Sequence, residues 1–192
     1  MNVQARFQEL SKVFSLTSLP ASTAGPSIWS PPPSDHIKIN VDAALDSTKS
    51  ALAVVAQNHL GKVLFLWGKV HHLCSPMIAE ASALLWAVQL ASQQRWRSVI
   101  FEGDAKICFD ALNHPYHNPN LALNTLIYNI RSLSSFFLSC SFCWVWRDSN
   151  YAAHVSAKFA LNSRDHFCFS NGNLPPSLES VCKGDASCCS SV

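Results

Sequence analysis

With 192 residues, 48% of them apolar, the chain is long enough for one ordinary globular core with tails to spare and gives no reason to expect two. Charged residues make up only 14% and the formal net charge is +2, which permits a nucleic-acid partner but excludes a chain that grips phosphate through bulk basicity. No window holds about 18 consecutive apolar residues, and no basic stretch followed by an apolar core opens the chain, so an unsecreted protein of the nucleus or cytoplasm with no membrane partner is expected.

Val3, Phe7, Leu10 and Phe14 fall at helical spacing beside Arg6 and Lys12 and read as a short docking helix in preference to an organelle-targeting segment. Residues 15–35, SLTSLPASTAGPSIWSPPPSD, have the composition of a linker, so residues 1–35 are expected to form a variable N-terminal segment. HIKINVD then alternates strictly, with Ile37, Ile39 and Val41 on one face and Lys38, Asn40 and Asp42 on the other, as a half-buried strand does. ALAVVAQN (51–58) and KVLFLWGKV (62–70) suit a hairpin whose turn uses Gly61. Ser75 and Pro76 fit a helix cap and first position, and Ile78, Ala81, Leu85 and Val88 carry the helical period to about Gln94. RSVIFEGD (97–104) returns to strand, AKICFDAL to helix. After the two-proline loop NHPYHNPN come a helix over about 121–135, a strand around 137–146 and a closing helix capped by Asn150. Three consecutive strands followed by alternating units imply an α/β fold, a mixed sheet with helices laid against it. The Ser- and Cys-rich tail, 165–192, is expected to be disordered.

The eight cysteines are scattered and read as free thiols. Cys140 and Cys143 form a CxxC within a strand, where their side chains point to opposite faces, and no second pair at zinc-site spacing accompanies them.

Three of the twelve acids stand out. Asp42 ends the first strand, Glu80 lies in the first turns of the first long helix, and Asp104 sits where the fourth strand gives way to a helix. Each has a local explanation as turn former, helix-dipole complement or cap. Together, NVDAAL, AEASAL, FEGDA and WRDSNYAAHVSAKFA, in this order and after WSPPPSDHIKINVD, resemble the ribonuclease H-like domain of plants, the type derived from retrotransposon reverse transcriptases. The resemblance runs from about Trp29 to about Arg164, with a weaker echo in LPPSLESVCKGD. It implies a domain over 36–164 with a five-stranded mixed sheet whose first three strands are antiparallel. It also implies a carboxylate cluster that holds two divalent ions, Mg2+ or Mn2+, and hydrolyses the RNA strand of an RNA/DNA hybrid. In-line attack on a phosphodiester uses one ion to position hydroxide and another to stabilise the leaving oxygen, about 3.5–4 Å apart. Hard anionic ligands brought from separate elements suit such ions. By the same resemblance Asp42 bridges the ions, Glu80 and Asp104 complete one site, and the fourth ligand falls at position 154.

There the chain departs from the pattern. His154 stands where many relatives carry Asp in a motif of the form NxxAD, which removes a negative charge and favours later metals over magnesium, so a relative preference for manganese is expected. The alternative is that His154 packs near its helix start without a metal. Ala43 replaces a frequent Gly, ALAVVAQN lacks the glycines common in the second strand, Trp144 replaces a frequent His, and WRDSN offers no mobile histidine. Between residues 36 and 167 there are eleven Lys or Arg against eight Asp or Glu, a dispersed surplus, so grip rests on a few positions. Arg147, Lys106, Lys158 and Asn150 are the candidate nucleic-acid contacts. The sequence thus supports a hybrid-cleaving, metal-dependent enzyme acting as a monomer, with a catalytically faded nucleic-acid-binding or interaction module derived from a retroelement as the alternative.

Overall fold

The alternation in HIKINVD becomes β1 (Ile37–Leu45), the strand around which the sheet is built. The structure, a computed structural model, describes residues 28–114, 120–163, 165–170 and 173–187. The expected docking helix, the linker up to residue 27, residues 115–119 of the two-proline loop, and Cys188 and Cys189 lie outside the described residues.

β2 (Lys49–Gln57) and β3 (Val63–His72) follow as an antiparallel pair, joined through Gly61 at φ 69° as its lack of a Cβ allows. Then come α1 (Pro76–Gln93), β4 (Ser98–Gly103), α2 (Lys106–Asn113), α3 (Leu121–Ser134), β5 (Ser139–Trp144), a 3-10 turn (Arg147–Asn150), α4 (Tyr151–Asn162), β6 (Phe167–Ser170) and α5 (Pro176–Ser187). The sheet runs β5-β4-β1-β2-β3-β6, with β1, β4 and β5 parallel and the remaining pairs antiparallel. No helix among the described residues is long and apolar enough to cross a membrane.

The two faces of β1 have different fates. Ile39 and Val41 point to the main core, where they meet Val54, Phe101 and the buried faces of α1, α2 and α3. Ala79, Ala83, Ala87 and Ala91 are all buried on α1, and their small size lets that helix lie close to the sheet. The opposite face is covered by α4 and α5, through Ala152, Ala153, Leu178 and Cys182 against Val55, Val63 and Leu66. Cys140 packs on the main core while the Cys143 thiol faces the charges of Glu102 and Lys38, so the CxxC pair is split between faces as expected.

Toward α4, β1 presents a buried polar layer. Asn40 Oδ1 accepts from Trp29 Nε1 (3.1 Å), and its amide donates to Glu102 (3.2 Å) and to Asn150 Oδ1 (3.2 Å). Asn150 Nδ2 donates to the Val41 carbonyl (2.8 Å), and Lys38 Nζ lies 2.7 Å from both Glu102 Oε1 and the Ser30 carbonyl. Asn150 therefore precedes α4 in the cap position, but its side chain makes no capping bond and instead ties the helix to β1. A buried amide left without partners costs more than a missing cap, which explains the choice.

Two expectations are corrected. Residues 28–35 are not free linker, because Trp29 is 3% exposed and bonded into this layer. The tail is not disordered throughout, because β6 pairs with β3 and α5 packs on α4, extending the expected five strands to six. Alternation in FCFS points Phe167 and Phe169 inward, and Leu178 and Cys182 recur at helical spacing, which outweighs a Ser- and Cys-rich composition. Gly68 permits this docking, since a Cβ there would lie 2.1 Å from Phe167 Cζ.

Gly68→Ala should destabilise the protein by about 1–3 kcal/mol in urea unfolding, as overpacking does. In a Phe167→Ala background the same change should cost almost nothing further; equal costs in both backgrounds would reject the contact. Asn150→Ala should cost about 1–3 kcal/mol by leaving Asn40 and the Val41 carbonyl short of partners, and Asn150→Asp, which adds a carboxylate to the layer holding Glu102, more. An unchanged unfolding midpoint for Asn150→Ala would show that the layer does not hold α4.

Candidate active site

β1 and β4 are parallel, with Ile37 opposite Val99 and Asn40 opposite Glu102. Carrying that register two residues further sets Asp42 beside Asp104, where the parallel pairing of β1 with β4 runs out; Asp42 does not end the first strand as expected, since β1 continues to Leu45 in its pairing with β2. α1 supplies the third acid. Its start is fixed by Ser75 and Pro76, so Glu80 falls within its first two turns, and Glu80 Oε1 accepts a hydrogen bond from the Ala43 N–H at 3.3 Å. Carboxylate oxygens of Asp42, Glu80 and Asp104 all lie within 4.8 Å of one another.

This cluster is strained electrostatically. Asp42 is 1% exposed, and burial, followed by the charge of Asp104, pushes its carboxyl up to about 6. Glu80 is raised well above its ordinary value by burial and then by the charges of Asp42 and Asp104. Asp42 Oδ1 is buried without a hydrogen-bond partner. Three hard oxygen donors with a shared excess of negative charge suit a small divalent cation, which would relieve both the repulsion and the orphaned oxygen.

His154, on the first turn of α4, lies against the cluster without being one of its three close members: its Nδ1 is 2.9 Å from Asp42 Oδ2. Arg147, exposed on the 3-10 turn, donates from Nε to Asp104 Oδ2 at 2.8 Å. Arg147 arrives from the segment joining β5 to α4 and His154 from the first turn of α4 itself, so two of the three acids already have a basic neighbour. Trp144 Nε1 donates to the Asp104 carbonyl at 3.0 Å and so ties the end of β5 to the residue after β4. Ala43 serves through its backbone, as donor to Glu80.

The other expected contacts divide. Lys106 is exposed, pairs with Asp110 at 2.7 Å and lies 5.8 Å from the Trp144 ring centroid, on the Asp104 side of the cluster. Lys158 is exposed one turn beyond His154 on α4. Asn150 is 1% exposed with its amide committed inside the protein, so it positions β1 and α4 and does not meet a ligand directly. Sequence reasoning passed over Asn40, Glu102 and Lys38; the signal available was three polar residues on the alternating faces of two apolar strands, which demand partners when both faces are covered.

Comparison with known proteins bears on the fold and the family. None of the curated proteins compared matches the sequence. Among solved structures, RNase H1 from the halophilic archaeon Halobacterium salinarum NRC-1 superposes with a TM-score of 0.63 at 21% identity, over 66% of this chain and 98% of that one. The N-terminal RNase H domain of rv2228c from Mycobacterium tuberculosis gives 0.61 at 18% identity, over 66% and 94%. LC11-RNase H1, solved in complex with an RNA/DNA hybrid, gives 0.60 at 16% identity, over 66% and 96%. At these identities the likeness establishes the fold, which is ribonuclease H-like. A family profile described as reverse transcriptase-like matches residues 40–160, a span that contains Asp42, Glu80, Asp104 and His154, and the chain belongs to that family.

Proposed function

We propose that this chain is a metal-dependent endonuclease of retroelement descent that hydrolyses the RNA strand of an RNA/DNA hybrid. The observation that carries the reading is the meeting of the Asp42, Glu80 and Asp104 oxygens within 4.8 Å, brought from within β1, from the first turns of α1 and from the residue after β4. Those three residues would hold Mg2+ or Mn2+, and bound divalent ions would supply charge neutralisation and a nucleophile active at neutral pH. That LC11-RNase H1 was solved with an RNA/DNA hybrid supports the substrate class.

The chain's own groups have separable parts. Asp42, buried, and Glu80, partly buried, repel one another and keep the ion position defined before substrate arrives. Arg147, with 62% of its side chain exposed, leaves part of its guanidinium facing solvent at the rim and is placed to meet a phosphate of the scissile strand. Lys158 and Lys106 extend that contact along the backbone on either side, recognising helix shape and not sequence. His154 takes the place of a fourth anionic ligand. With its Nδ1 on Asp42 it offers an imidazole where a hard carboxylate would favour magnesium, so manganese is preferred.

A second reading has its own observation. His154 on Asp42 and Arg147 on Asp104 give two of the acids basic partners within the chain, an arrangement in which hybrid is bound and not cut.

With a labelled RNA/DNA hybrid, cleavage should be faster in Mn2+ than in Mg2+, and Asp42→Asn should lower it by at least about a hundredfold, since even groups that only orient a metal ligand are worth about 10–100-fold. Cutting no greater than that of Asp42→Asn in either metal would end the enzymatic reading; salt-sensitive hybrid binding in the same samples would then support the binding module. His154→Asp should raise the Mg2+ rate and narrow the gap between the two metals. A gap that stays as wide would reject the role given to the imidazole.

A further inference from the structure

At the far end of β3 the chain brings together His71, His72 and Cys74, each offering a ligand atom within 4.8 Å of the others. Nothing in the carboxylate cluster uses them. Consecutive strand residues normally point to opposite faces, yet the two imidazole rings lie 3.9 Å apart, centroid to centroid, because β3 ends here and turns into the connection that starts α1. His71 Nε2 is buried and has no hydrogen-bond partner. The surroundings hold the group in place: Ser50 Oγ donates to the His72 carbonyl at 2.7 Å and sits 3.9 Å from Cys74 Sγ.

We propose that His71, His72 and Cys74 form a second metal site, separate from the carboxylate cluster, that takes a borderline transition-metal ion of the Zn2+ type. Two imidazoles and a thiolate are the donor set that selects such ions and rejects magnesium and calcium. Tetrahedral zinc bonds of about 2.0–2.3 Å set its ligand atoms about 3.3–3.6 Å apart, so a modest inward rotation of these side chains closes the site. Three protein ligands leave a fourth position. His71 and His72 also line a groove of about 490 Å³ with Lys69, Ile78, Trp86 and Leu126, which gives an ion a path to the two imidazoles. The cationic neighbour in that groove, Lys69, has its ammonium 4.2 Å from the Trp86 ring centroid. Bound there, an ion would pin the end of β3 to the start of α1, the helix that carries Glu80.

The test is titration of the metal-free, reduced full-length chain with Co2+, followed by thiolate-to-cobalt charge-transfer absorption, which a carboxylate cluster cannot produce. About one equivalent should bind with that band, Zn2+ should displace it, and Zn2+ should raise the melting temperature. Cys74→Ser should abolish the band and the Zn2+-induced thermal shift. His72→Ala, at an exposed position, should weaken Zn2+ binding by at least about a hundredfold, while Cys140→Ser should leave the band intact. Absence of the band in the wild-type chain, or its survival in Cys74→Ser, would overturn the proposal.

Discussion

A carboxylate taken out of water beside two others is the constraint around which this protein is arranged. Asp42 sits near the middle of the sheet, buried, with one oxygen unpartnered and with Asp104 and Glu80 as immediate neighbours. Left to itself such a group would neutralise or force the elements apart. It stays because the elements that carry the acids are fixed for other reasons. The parallel register of β1 and β4 aligns two of them, and an alanine-rich helix face brings the third close.

The buried polar layer below makes that arrangement rigid. Asn40 has both ends of its amide engaged, and Asn150, Glu102, Lys38 and Trp29 complete the set, so β1, β4, α4 and the segment before β1 are joined beneath the acids. Removing one partner of such a set exposes the full desolvation cost of those remaining. Rigidity of this kind belongs with preorganisation: oxygens that cannot relax away from one another define where a cation goes. His154 and Arg147 then decide how strongly the cluster calls for one, because each sets a basic group against an acid, one from the first turn of α4 and the other from the 3-10 turn before it. A single substitution at position 154 therefore changes the charge set against Asp42.

Strand alternation in HIKINVD and the helical period after Pro76 carried the order of elements, while the cluster was implied by the resemblance that NVDAAL, AEASAL and FEGDA carry and not by the spacing of the acids. What stayed hidden had long-range causes. Trp29 lies in a proline-rich stretch of linker composition, and its burial depends on Asn40 eleven residues on and on Lys38 beside it. Asn150 read as a cap because that is its local use; its actual partners are Asn40 and Val41, more than a hundred residues away. β6 was masked by the composition of the tail, although Gly68 inside an otherwise apolar strand already signalled a close approach from outside. The pairing of His71 with His72 breaks the two-residue period of a strand, so no periodicity could reveal it.

The central claim is that the three acids form a cation site. The most direct measurement is an anomalous difference map from crystals of the wild-type chain grown with Mn2+. The account predicts a peak bounded by the carboxylates of Asp42, Glu80 and Asp104, absent from crystals of Asp42→Asn grown in the same way. A wild-type map with manganese elsewhere on the protein and no density among those three side chains would contradict it.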